Sequence, residues 1–131
     1  MSEPETPYDL LGGEAAVVTL AQAFYDAMEE HEPALTAVHR CIEPGRVHPE
    51  MRARFALFLV GWLGGPQEYM KRYGHPRLRM RHARVRIDEA MRDAWVRSMM
   101  RAMDRCGIQG DVRSFLDARF AEVADFLRNT A

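Results

Sequence analysis

The chain has 131 residues, enough for one domain with a real core and too few for two. Hydrophobic residues make up 47% and charged residues 28%, the balance of an ordinary globular protein. The net charge of −1 excludes a whole-molecule field that would gather nucleic acid or an anionic membrane.

No apolar run reaches the roughly 18 residues of a membrane span, and the acidic start MSEPETPYD lacks the character of a signal peptide, so a cytoplasmic location is expected. The basic residues are seventeen arginines and one lysine, Lys71. Cys41 and Cys106 lie far apart without CxxC spacing, which predicts a reduced pair rather than a disulfide or zinc framework.

Residues 1–6 read as a short disordered lead. Pro7–Leu11 has the length of about one helical turn, ended by Gly12-Gly13, where a positive φ costs little. From Glu14 to about His31, Val17, Leu20, Ala21, Phe24 and Met28 form one helical face, with Tyr25 at its border. Pro33 opens a brief helical piece from Ala34 to about His39. Cys41–Val47 reads as a loop marked by Pro44-Gly45.

His48-Pro49 starts the next helix, carrying Met51, Phe55, Phe58, Leu59 and Trp62 until Gly64-Gly65-Pro66 stops it. Residues 67–73 allow a further turn or two. Asp88 then caps a long helix that turns Met91, Ala94, Trp95, Ser98, Met99 and Ala102 inward. Cys106-Gly107 and Gly110-Asp111 break and restart the chain. A last helix carries Val112, Phe115, Leu116, Phe120, Val123 and Leu127 on one side. No stretch alternates with period two for long enough to predict a strand, so the chain is expected to be all-α and a single domain over residues 1–131.

The chemistry concentrates in GHPRLRMRHARVRI, Gly74–Ile87, where His82 stands between Arg79 and Arg81 on one side and Arg84 and Arg86 on the other, with Leu78 and Met80 nearby. A solvated basic face would account for the arginines, though not for the GHP turn before them or the capped helix after. A lone histidine is more often a surface or satisfied core residue than a ligand. Trp95 and Tyr25 sit at helical spacing, as core aromatics do, yet each carries a polar group that needs a partner when buried. His39 adds a third donor on another segment, and Met51 with Phe55 makes an apolar wall. His48 and His75 adjoin prolines, which suggests turn and cap roles. No P-loop, GxGxxG or GxSxG occurs.

GHPRLRMRHA, Gly74–Ala83, is similar to the proximal-histidine segment of the group II truncated haemoglobins, the 2-on-2 globins. The resemblance runs from about Tyr8 to Asn129. It rests also on Gly12-Gly13-Glu14, Phe24-Tyr25, Leu63-Gly64-Gly65-Pro66 followed by Tyr69, and Arg92-Asp93-Ala94-Trp95. It implies a truncated globin fold, two helices over two, and a haem b cofactor whose iron is held by His82. The family's distal tryptophan and tyrosine fall on Trp95 and Tyr25. The bend position falls on His39, given one extra residue in the 29–34 region, and the distal-histidine position falls on Met51, with Phe55 one turn on. Arg84-Val85 departs from the Pro-Phe common in the family.

On that resemblance, Arg81 and Arg54 are the expected propionate partners, because carboxylates near apolar surfaces need charge-assisted bonds. Leu78, Phe55 and Met51 would pack on the ring. The implied function is binding of O2, CO and NO, whether for oxygen transport or sensing, with slow O2 release set by the distal donors. The alternative is a haem enzyme, an NO dioxygenase or weak peroxidase, which would need a separate reductase. Neither nucleic acid nor a membrane is an expected partner, and the oligomeric state is left open, a homodimer included.

Overall fold

The computed structural model describes residues 5–130; residues 1–4 of the expected lead lie outside them. Thr6, at the end of that lead, is part of a cap. Its hydroxyl accepts from the Asp9 amide at 3.1 Å while its own amide donates to the Asp9 carboxylate, a reciprocal capping box that starts α1 (Pro7–Leu11). Gly12 closes that turn at φ +110°.

Helix α2 (Glu14–His31) follows, with Val17, Leu20, Ala21, Phe24 and Met28 no more than 1% exposed. Tyr25, expected at the border of this face, is buried as well. Each such side chain removed from water contributes roughly 1.5–3 kcal/mol, which makes α2 the centre of the core. Helix α3 (Pro33–Ala37) is shorter than expected, ending before His39. Glu32 between the two is buried, and its carboxylate takes both Arg97 nitrogens at 2.9 and 2.8 Å and Arg101 at 2.7 Å.

The predicted loop at Cys41–Val47 is instead a small hairpin. Strand β1 (Cys41–Glu43) pairs antiparallel with β2 (Arg46–Val47) around Pro44-Gly45, Gly45 standing at φ +80°. The Val47 amide donates to Glu29 at 2.8 Å, which ties the hairpin to α2. Helix α4 (Pro49–Trp62) begins under a His48 cap, whose Nδ1 accepts from the Glu50 amide. It ends at the glycine pair, where Gly65 lies flat against the Tyr8 ring.

Helix α5 (Glu68–Tyr73) and the four-residue α6 (Leu78–Arg81) lead to α7 (Glu89–Arg105), capped by the Asp88 carboxylate on the Met91 amide at 2.9 Å. Helix α8 (Gly110–Leu127) completes the chain. Leu116, Phe120 and Ala124 of α8 face inward, but Phe115, expected on that face, is 50% exposed. Positions 116, 120 and 124 repeat every four residues, and Phe115 lies about 100° around the helix from Leu116.

The long helices stack as two pairs: α2 packs on α4, α7 packs on α8, and α2 lies across α7. This is the two-over-two helical arrangement. It leaves the short pieces, α3, α5 and α6, to frame a cavity beside the core rather than to fill it. No helix among the described residues is long and apolar enough to cross a membrane, and both cysteines are free.

Candidate functional site

A cavity of about 450 Å³ opens between α2, α4, α6, α7 and α8. That volume falls within the roughly 300–1,000 Å³ of small-molecule and cofactor sites. All nine residues singled out from the sequence, Tyr25, His39, Met51, Arg54, Phe55, Leu78, Arg81, His82 and Trp95, line it.

His82 caps the C-terminus of α6, and its amide donates to the Leu78 carbonyl at 3.1 Å. Its Nδ1 lies 2.6 Å from the same carbonyl. A carbonyl only accepts, so Nδ1 carries the proton and the Nε2 lone pair is left for the cavity. His75, two residues after the end of α5, has the turn role expected of it, accepting from the Arg77 amide at 3.3 Å. Arg77 itself takes a left-handed conformation, φ +48°, to start α6.

Asn129 steadies the loop beyond His82. Its side-chain amide donates to the Val85 carbonyl at 2.8 Å and to the His82 carbonyl at 3.4 Å, and its carbonyl oxygen accepts from the Ile87 amide at 2.9 Å. Its backbone amide returns to the Ile87 carbonyl at 2.9 Å. Sequence reasoning did not assign this residue a role, because a contact spanning more than forty positions leaves no local pattern. Val85 and Ile87, which also line the cavity, were missed too; their spacing of two, apolar between arginines, was the available signal.

Another wall is aromatic. The Phe24 ring contacts Tyr25, Phe55 and Trp95 at 5.1, 5.0 and 5.3 Å between centroids, and Tyr25 meets His39 edge-on at 5.9 Å. Burial pushes the Tyr25 phenol above its ordinary value, an effect the nearby Arg52 guanidinium opposes. Arg52 is itself fixed by Glu29 and Asp26, each at 2.9 Å. Burial lowers the pKa of His39, while its Nδ1 bond to the Leu35 carbonyl acts the other way.

Among the described residues, neither the Tyr25 hydroxyl nor the Trp95 indole N–H has a hydrogen-bond partner, and the Nε2 atoms of His39 and His82 have none either. Four polar groups therefore face one largely apolar chamber. At its mouth, Arg54 lies over the Tyr73 ring at 4.4 Å, and Arg81 donates through Nε to the Pro76 carbonyl at 2.8 Å. Neither has a carboxylate within 4.0 Å among the described residues. A haem suits this donor set: one neutral imidazole for iron, apolar walls for a flat ring, and two free cations where carboxylates would emerge.

The family model for the bacterial-like globins matches residues 6–129. The group 2 truncated haemoglobin YjbI of Bacillus subtilis is 34% identical over 123 residues, covering 94% of this chain and 88% of that protein. The cold-adapted truncated haemoglobin of the Antarctic marine bacterium Pseudoalteromonas haloplanktis superposes with a TM-score of 0.88 at 36% identity, covering 97% of this chain and all of that one. The truncated oxygen-avid haemoglobin of Bacillus subtilis superposes with a TM-score of 0.82 at 34% identity, over 95% of this chain and 100% of the other. With its fold, its cavity and these relatives in agreement, this chain belongs to the group II truncated haemoglobins, within the bacterial-like globins.

Proposed function

We propose that this chain holds a b-type haem through His82 Nε2 and uses it in the cytoplasm to bind O2, CO and NO, releasing O2 slowly. The observation that carries the reading is the set of four free polar groups, on His82, His39, Tyr25 and Trp95, facing one apolar chamber. Family membership implies haem-based ligand binding, and one relative of similar length is an oxygen-avid haemoglobin.

When bound, the haem iron supplies an open coordination position for a small ligand and a redox couple. The protein's part is positional. The Leu78 carbonyl holds the His82 ring in the tautomer that presents Nε2. Met51, Phe55 and Leu78 line the cavity and would pack on the haem and exclude water. Arg81 and Arg54 would pair with the propionates at the mouth. On the ligand side Trp95 can only donate and Tyr25 can donate or accept, whereas His39, with its Nδ1–H held by Leu35, offers Nε2 as an acceptor and donates only once that bond is released. Trp95 is therefore the constant donor, and the other two adjust to the ligand.

The test is an absorbance titration with haemin followed by a pyridine haemochrome spectrum. One haem b per chain is expected, and His82→Ala loses the Soret band, with partial recovery on adding imidazole. Failure to take up haem, or a His82→Ala protein with an unchanged ferrous spectrum, refutes the assignment.

A further inference from the structure

The charge of this chain is segregated. Residues 51–87 carry nine basic side chains and a single acid, Glu68, while the remainder carries nine basic and eighteen acidic ones. Glu68 is occupied by Lys71 at 3.3 Å.

The structure shows where the surplus goes. Every arginine from Arg77 to Arg86, together with Arg54 and Arg72, is exposed and has no carboxylate within 4.0 Å among the described residues. All the other arginines are paired. The unpaired ones gather at one place. Arg54, Arg81 and Arg86 line the cavity, Arg72 shares with Arg54 a groove over α4 and α5 that Glu14 and Glu50 also line, and the others share the short segment that carries His82. Exposed apolar side chains stand among them, with Met80 at 63% exposure and Tyr73 at 39%.

Two haem propionates take two cations and leave five. Leaving so many like charges adjacent and unpaired is unfavourable in the free protein, and it suits a surface that meets an anionic partner. The acidic remainder of the chain limits what that partner is. A long polyanion or a flat anionic bilayer extends past the rim onto surface of its own sign and is repelled there. A compact acidic protein meets the rim alone. The rim also surrounds the opening through which a haem edge would be nearest to solvent.

We propose that this rim is the docking surface for a compact acidic redox protein that reduces the haem iron. The proposal rests on the haem reading above. One electron leaves the reduced flavin or iron–sulfur centre of the partner and ferric iron becomes ferrous, with no bond made or broken. This chain carries no flavin or nicotinamide motif, so the electron comes from outside it.

The experiment mixes the ferric, haem-loaded protein with a reduced flavodoxin in an anaerobic stopped-flow apparatus at low and high salt. The second-order rate constant is expected to fall about tenfold or more as salt rises, because long-range steering is screened. The combined variant Arg72→Glu, Arg79→Glu and Arg84→Glu, whose positions lie outside the haem cavity, is expected to slow the low-salt rate by about tenfold. Its Soret spectrum and its reduction by dithionite should stay those of the wild type, and the corresponding lysine variant should keep the wild-type rate. A rate indifferent to salt, or a glutamate variant reduced as fast as the wild type, overturns the docking surface. Tighter salt-sensitive binding to a DNA duplex or to phosphatidylglycerol vesicles than to flavodoxin overturns it as well. A sample with no Soret band fails earlier and refutes the haem reading instead.

Discussion

His39 and His82 are held by the same device on two walls of the cavity. Each ring donates Nδ1–H to the carbonyl four residues before it, Leu35 at 2.8 Å and Leu78 at 2.6 Å, and each leaves Nε2 facing the chamber. The difference lies in their supports. His82 ends a helix whose next loop is clipped by Asn129, whereas His39 lies in the turn after α3, edge-on to the Tyr25 ring. The better-anchored imidazole suits a permanent ligand, and the other offers an adjustable acceptor, its own N–H being held by Leu35.

The donors on the ligand side are separable by substitution. Trp95→Phe keeps the ring and removes the N–H, and should speed O2 release about tenfold if the lost bond is worth about 1.4 kcal/mol. Tyr25→Phe should have a smaller effect alone, because Trp95 still donates, and His39→Phe the smallest, because its N–H is held by Leu35. Stopped-flow O2 dissociation rates for the singles and for Trp95→Phe with Tyr25→Phe give the coupling directly. An unchanged rate in Trp95→Phe assigns the ligand to Tyr25 and His39.

Retention of haem should depend on the two mouth arginines. Arg54 and Arg81 are exposed, so water screens their pairing, and each single change to Ala is expected to speed haem transfer to an apo-acceptor by about fivefold or less. The double variant should exceed either single one. A double variant that loses haem no faster than the wild type places the propionates elsewhere.

Glu32 makes stability depend on acid. Its bonds from Arg97, set against the cost of burial and helped by Arg101, bring its pKa down from 4.5 to about 2. A carboxylate depressed in the folded state binds protons less readily than in the unfolded chain. Its contribution is therefore present above pH 4.5 and is lost as pH falls from 4.5 towards 2. Glu32→Gln should be destabilised in urea unfolding at neutral pH and should converge with the wild type at the acid end of that window. A gap that stays constant with pH would show that packing, not charge, holds this joint.

Gly65 is required by contact rather than by conformation, since its φ is not positive. A Cβ there would stand 2.5 Å from Tyr8 Cδ2 and 2.9 Å from Cγ, the rigid root of the ring. Gly65→Ala must displace α1 from the end of α4, at a cost of about 1–3 kcal/mol. Tyr8→Ala should relieve most of that loss, and thermal unfolding of the two singles and the double checks it.

Much of this architecture was legible in the sequence because it rests on local periodicity. The apolar face of α2, the Asp88 cap and the glycine stops each declare themselves within a few residues. The GHPRLRMRHA segment located the cavity wall before any coordinates. Other features have no local sign. Strands of three and two residues are too short for alternation to show, so the hairpin at Cys41–Val47 read as a loop. Phe115 looks like a core residue until the packing of α8 is seen to favour Leu116, Phe120 and Ala124. The seventeen arginines look alike in sequence, and only the fold separates the paired ones from those left free at the cavity mouth.

The Asn129 clip also bears on the order in which the molecule assembles. The loop Ala83–Asp88 has no regular structure of its own, and several of its backbone groups are satisfied by a residue 42 to 47 positions further along the chain. The loop therefore gains its final shape only once α8 has docked on α7, since contacts of such separation close after local ones. The ring of His82 is set early by its local bond to Leu78, and the loop beyond it, which carries Val85 and Ile87 to the cavity wall, is set late.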